Sequence, residues 1–300
     1  MTYQGRVNRV IDHISAHLDE PLALEELARI AAFSPFHFHR IFSAFVGETI
    51  GAFVKRLRLE RAASRLVANP ALSVTAVALD LGYSSPAAFA RAFKERFGVS
   101  ATEWRELRSK EREALRNPGK ADRKPGNAAD SDAEHPRSQM DWRTLTMEIT
   151  IRQLPARRLA YARALGPYGE SAGPAWATLC RWAGPRGLLG PHAPMIGLSH
   201  DDPSVTAPEK LRYDAGVVVP DTVLPEGDIG VQVLPAGAYA VAHFQGPAKD
   251  LGAAYGKVFG EFLPAGGYQP ADSPCYEVYR KDCSSDGQMD MDICVPVKPL

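Results

Sequence analysis

No stretch of this sequence approaches the ~18 uncharged apolar residues that a membrane-spanning helix needs, so a helical membrane protein is excluded. Cysteine is scarce. The four are Cys180, Cys275, Cys283 and Cys294, and none forms a CxxC pair. The last three are spaced by 8 and 11, which fits no common zinc pattern, so neither a disulfide framework nor a structural zinc site is expected. P-loop, dinucleotide and HExxH motifs are missing, and the histidines are scattered. The expectation is therefore no cofactor, no metal and no catalytic residue. The first residues lead into no apolar signal region, which predicts a cytoplasmic protein. Net charge is also missing: 35 basic side chains face 35 acidic ones. Taken as one body, such a chain holds no nucleic acid by bulk electrostatics.

What the sequence does have falls into separate parts. Residues 117–143 are rich in Pro, Gly, Asn, Asp, Ser and Lys, with almost nothing apolar to bury. Such a segment does not offset its own chain entropy and reads as a linker. With the fraying end of the preceding helix it spans 109–146. Before it, apolar residues recur at helical spacing; after it, short β-branched and aromatic runs alternate with Gly/Pro turns and two helical stretches. The fold class is thus multidomain, all-α followed by α+β. Residues 1–116 hold 17 basic and 13 acidic side chains, whereas 147–300 hold 13 and 17. The zero is a cancellation between a basic and an acidic domain.

The first domain repeats itself. Ser34-Pro35-x-x-Phe38-x-Arg40-x-Phe42, ending at Gly47, returns as Ser85-Pro86-x-x-Phe89-x-Arg91-x-Phe93, ending at Gly98, offset by 51. Each copy reads as helix, turn, helix. Serine serves as N-cap, and proline sits at the first helical position, where its missing N–H costs nothing. The two phenylalanines lie four apart and pack inward, so the arginine between them faces out. Gly82 makes the second turn; Ala32 stands at the first, which must accept a Cβ. Tandem helix-turn-helix units present the start of each second helix to a major groove. The candidate DNA-binding residues are Phe36, His39 and Arg40 in the first unit and Ala87, Ala88, Arg91 and Lys94 in the second. Arginine bridges guanine O6 and N7, and the alanines can touch only a thymine methyl. A stripe of Ile50, Phe53, Val54, Leu57 and Leu66, with Lys55, Arg56, Arg58, Arg61 and Arg65 around it, forms a helix holding the two units at fixed spacing.

These motifs resemble the DNA-binding domain of the AraC/XylS transcription regulators over residues 6–108. The resemblance also rests on Leu24-Glu25-Glu26-Leu27-Ala28, Arg58-Leu59-Glu60-Arg61-Ala62, Leu81-Gly82-Tyr83-Ser84-Ser85 and Phe97-Gly98-Val99-Ser100. Ala32 and Ala101 depart from the family's usual Gly and Pro. The resemblance implies double-stranded DNA as partner and, for an activator, RNA polymerase.

The second domain also echoes itself. Leu154-Pro155-Ala156 with Gly166-Pro167 returns as Leu234-Pro235-Ala236 with Gly246-Pro247, offset by 80. Each half reads as strand, helix, strand, strand, so the domain is two β-α-β-β repeats with a groove along their pseudo-twofold axis. Strand alternation puts Cys275, Glu277 and Tyr279 on one face. A carboxylate among aromatic rings suits an organic cation; an exposed glutamate on a solvated strand fits the same residues. Residues 147–300 resemble the gyrase-inhibitor-like (GyrI-like) small-molecule-binding domain. The resemblance rests on Gly166-Pro167-Tyr168, Asp201-Asp202-Pro203, Leu211-Arg212-Tyr213-Asp214, Cys275-Tyr276-Glu277-Val278-Tyr279 and Asp292-Ile293-Cys294-Val295-Pro296. It implies a small-molecule effector with Glu277 in the ligand groove. Tyr161, Tyr168, Trp176, Tyr213, Tyr255, Tyr268 and Tyr279 are the candidate wall residues. Some stand-alone proteins of this resemblance are hydrolases of reactive small molecules, so an enzyme remains the alternative.

Overall fold

The computed structural model describes residues 2–116, 144–190, 193–271, 273–280 and 288–300, with Phe36 and residues 111–116 described by backbone alone. The segment read as linker, for residues 117–143, and Cys283 lie outside the described residues. Among the described residues no helix is long and apolar enough to cross a membrane.

Seven helices come first: α1 (Tyr3–Ala16), α2 (Leu24–Ile30), α3 (Pro35–Val46), α4 (Ile50–Ala68), α5 (Val74–Asp80), α6 (Pro86–Phe97) and α7 (Ala101–Arg116). Helices α3 and α6 open on their prolines and stop at Gly47 and Gly98, both in the left-handed conformation. Ser85 caps α6 by accepting from the Ala88 N–H at 3.2 Å. Ser34 holds the matching place, but its side chain makes no cap bond, contrary to expectation. The first turn does accept its Cβ. Ala32 sits at φ 49, beside 72 for Gly82 in the second turn, a region costly for any residue but glycine. Helix α7 runs to Arg116, through the residues read as its fraying end.

Each helix-turn-helix unit has its own core. Phe38, Phe42, Leu27 and Ile11 fill the first, and Phe89, Phe93, Val77 and Leu66 the second. Helix α4 serves both, burying Phe53 and Leu57 in one and Leu59, Ala62 and Leu66 in the other. A single rigid helix shared by two cores fixes the spacing of the units. Its arginines are not simply solvated. Arg58 donates to the carbonyls of Leu18, Gly82 and Glu20, and so braces the end of α1 against the second turn.

The second domain is a nine-stranded, antiparallel sheet among the described residues. Its strands are β1 (Ile149–Leu154), β2 (Arg157–Leu165), β3 (Met195–Ser199), β4 (Arg212–Val218), β5 (Ile229–Leu234), β6 (Gly237–Pro247), β7 (Tyr268–Pro270), β8 (Cys275–Tyr279) and β9 (Gln288–Pro299). Their order is β1-β6-β9-β8-β3-β4-β2-β5, with β7 on β9. Both expected repeats are present, and each gains a leading strand. These leading strands are exchanged: β1 pairs with β6 of the second repeat, and β5 with β2 of the first. Helix α8 (Tyr168–Ala183) covers the first repeat. Over the second, the expected single helix is broken into α9 (Leu251–Lys257), a π turn (Val258–Phe262) and α10 (Leu263–Gly266). Pro264 has no N–H to give the carbonyl four residues back, and the helix widens just ahead of it.

The repeats meet where β3 pairs with β8. On the helix side of this seam lie Gly197, Glu277 and Tyr279. The other side is lined by Ile196, Leu198, Tyr161, Tyr239 and Tyr276, and there the sheet meets α1.

Candidate functional site

The DNA-reading candidates separate by exposure and pairing. His39, Arg40, Ala87, Arg91 and Lys94 are exposed on α3 and α6; Ala88 is half-buried beside its cap. The side chain of Phe36 lies outside the described residues. Among the described residues no carboxylate lies within salt-bridge distance of Arg40 or Arg91. Other arginines nearby are engaged: Arg56 with Glu48 and Glu60, and Arg96 with Glu60. The unengaged arginines are those at matching positions of the two second helices, where a guanidinium is available for a base edge or a phosphate.

The second site is built around one carboxylate. Glu277 on β8 is only 2% exposed. The Tyr255 hydroxyl of α9 donates to its Oε1 at 2.5 Å. Burial pushes the Glu277 carboxyl up to about 7, with the Tyr255 hydrogen bond pulling the other way. Among the described residues no lysine or arginine pairs with it. A ring system surrounds this group. The Trp176 indole of α8 donates to the Tyr213 hydroxyl at 3.2 Å, and that oxygen lies 3.3 Å from the Tyr279 hydroxyl. Trp176 and Tyr279 meet edge to face at 5.4 Å between centroids, and Tyr168 tilts against Tyr213 at 6.1 Å. Burial raises the Tyr213 hydroxyl strongly, and the nearby Glu277 charge raises it further. This cluster offers aromatic rings beside a buried carboxylate that has no counter-ion among the described residues.

The candidate wall residues do not all gather here. Tyr168, Trp176, Tyr213, Tyr255 and Tyr279 share the helix side of the sheet with Glu277. Tyr161 does not: alternation along β2 turns it to the opposite face, where its hydroxyl donates to Asp12 of α1. Tyr268 packs on the core beneath α9 and α10 instead. Sequence reasoning missed Gly197. It pairs directly with Glu277 across the seam and occupies the same position of the first repeat, 80 residues earlier. A Cβ there would lie 2.8 Å from Glu277 Oε2 and closer still to the Tyr213 hydroxyl. The signal was present, since a glycine inside a strand marks a place where something approaches the backbone closely.

Residues 147–298, just over half of the chain, match the family described as the GyrI-like small molecule binding domain. The chain belongs to that family. Residues 27–107 match a helix-turn-helix domain of the AraC type. This GyrI-like protein is thus a ligand-responsive, DNA-binding regulator. It is 36% identical over 156 residues to a DNA gyrase inhibitor of Serratia proteamaculans, an alignment covering 51% of this chain and 99% of that protein. Among solved structures it is similar to a probable AraC family transcriptional regulator from Rhodopseudomonas palustris (30% identity, TM-score 0.32, covering 34% of this chain and 96% of that one). It is also similar to the protein of the EcmrR–DNA complex in EcmrR-RPo (16% identity, TM-score 0.46, covering 92% and 99%).

Proposed function

We propose that this regulator senses a monovalent organic cation with aromatic or amphipathic character, and that it does so by binding without turnover. One observation carries the reading: a buried carboxylate ringed by aromatic side chains and lacking a cationic partner among the described residues. An isolated buried charge is costly, so Glu277 holds its proton near neutral pH. A cation that enters replaces the proton, and the rings contribute cation–π contacts. Arg40 and Arg91 read bases in two major-groove segments from one monomer, while Lys94 holds phosphate. The protein acts in the cytoplasm and, if an activator, engages RNA polymerase.

Titration calorimetry with benzyltriethylammonium tests the effector reading. Wild type binds the probe, and Glu277→Gln loses most of that affinity; equal affinity in the two proteins refutes it. A carboxyl group poised near neutral pH beside a tyrosine hydroxyl also suits general acid–base chemistry, which favours the hydrolase as second reading. Mass spectrometry of candidate reactive compounds after incubation separates the two, since binding without turnover leaves them intact.

A further inference from the structure

We infer that residues 200–211, between β3 and β4, form a relay that couples the effector enclosure to both DNA-reading helices. This rests on the reading of Glu277 and its rings as the effector site. At its root the segment is tied to the enclosure. The Tyr168 hydroxyl donates to the Asp201 carbonyl at 2.6 Å and accepts from the Asp201 N–H at 3.1 Å. The Asp201 carboxylate takes the Arg212 guanidinium in a fork, at 2.6 and 2.9 Å. Arg212 is the residue next to Tyr213, so both ends of the segment abut wall residues. Arg212 in turn donates to Ser15 Oγ of α1 at 2.8 Å.

Beyond its root, the segment lies on the first domain. Lys210 Nζ donates to the Val46 carbonyl, at the C-terminus of α3, at 3.2 Å. It also stands 3.9 Å from Glu48. From Glu48 a chain of ion pairs runs through Arg56 and Glu60 of α4 to Arg96 of α6. Arg96 Nη2 returns to the segment through the Val205 carbonyl at 3.5 Å, and the Val205 side chain packs on the core of the second unit. The segment therefore touches the C-terminal ends of both DNA-reading helices. Glu60 is buried and Glu48 and Arg56 are half-buried, which makes their pairing discrete, because a half-paired state leaves a charge without compensation. When a ligand moves Tyr168 or Tyr213, the segment must shift, and Lys210 and Val205 shift with it. With their spacing held by α4, α3 and α6 then tilt at the ends the segment touches, and the fit to two adjacent grooves changes with them.

The test measures DNA affinity of the full-length protein by fluorescence anisotropy, with and without saturating benzyltriethylammonium, on a fragment selected from a random pool. Lys210→Met removes the bond to α3 while keeping the aliphatic stem, and Ser15→Ala removes the bond to α1. Wild type changes its DNA affinity at least about fivefold on adding the probe. Each variant binds the probe within about twofold of wild type but responds less than about half as strongly. Variants that keep the full response overturn the relay. Wild type that binds the probe with no change in DNA affinity also overturns it, while leaving the effector reading intact. Wild type that binds no probe removes the effector reading and the relay together.

Discussion

Affinity for a permanent cation should rise steeply with pH between 6 and 8, and Glu277 sets the magnitude. Its carboxyl sits at about 7 because it is buried. At pH 6 about one enclosure in ten is ionised, and at pH 8 about nine in ten. A cation binds only the ionised form with full strength, so its Kd should fall about tenfold across this interval, or about 1.4 kcal/mol. Calorimetry in two buffers of different ionisation enthalpy reads the same event. Close to one proton is released per cation bound at pH 6, and close to none at pH 8. Stability moves in the opposite sense. A group whose pKa is raised on folding contributes stability that is complete below its unfolded value and is lost as pH rises through its folded value. The window is therefore from about 4.5 to about 7, and the cost above it is about 3 kcal/mol. Glu277→Gln should be more stable than wild type at pH 8 and nearly equal to it at pH 4, while losing the cation. A wild-type Kd that is flat with pH, or a Gln variant that keeps the slope, refutes the reasoning.

Three other outcomes follow from positions already described. Gly197→Ala places a methyl group against Tyr213 and Glu277; it should weaken cation binding at least about tenfold and cost about 1–3 kcal/mol of stability in thermal unfolding. The two turn positions should respond with opposite sign. Ala32→Gly relieves a positive φ and stabilises by up to about 1 kcal/mol, whereas Gly82→Ala meets Arg58 and destabilises by about 1–2 kcal/mol or more, both readable by denaturant titration. Arg40→Ala should lose about 1–3 kcal/mol of discrimination at one base pair; Lys94→Ala should weaken all sequences alike and lower the salt slope by about one, as measured on an operator variant panel.

The elements of the first domain were legible because their signals are local. Proline at the first helical position, glycine after the last and phenylalanines four apart each act within a turn or two. The Ser34 cap failed because the same residue type can be placed correctly and still point elsewhere. In the second domain the offset of 80 disclosed the repeats, and alternation along β8 put Glu277 and Tyr279 on one face. The leading strands β1 and β5 escaped because each pairs with the other repeat, which no nearby residue announces. Tyr161 lies on the sheet face opposite Glu277, and which face of β2 turns to the helices is set by its pairing with β4 and β5, distant in sequence. Gly197 was overlooked because its contribution is the space it leaves.

That space determines how the enclosure counts charge. A duplicated fold tends to present every group twice, and a symmetric domain would set two carboxylates face to face across the β3–β8 seam, where only one could ionise. With glycine on one side, the described residues place a single acid on the axis. Under the proposed effector reading the site should therefore take one cation per chain and discriminate against dications, whose second charge would be buried there without a partner.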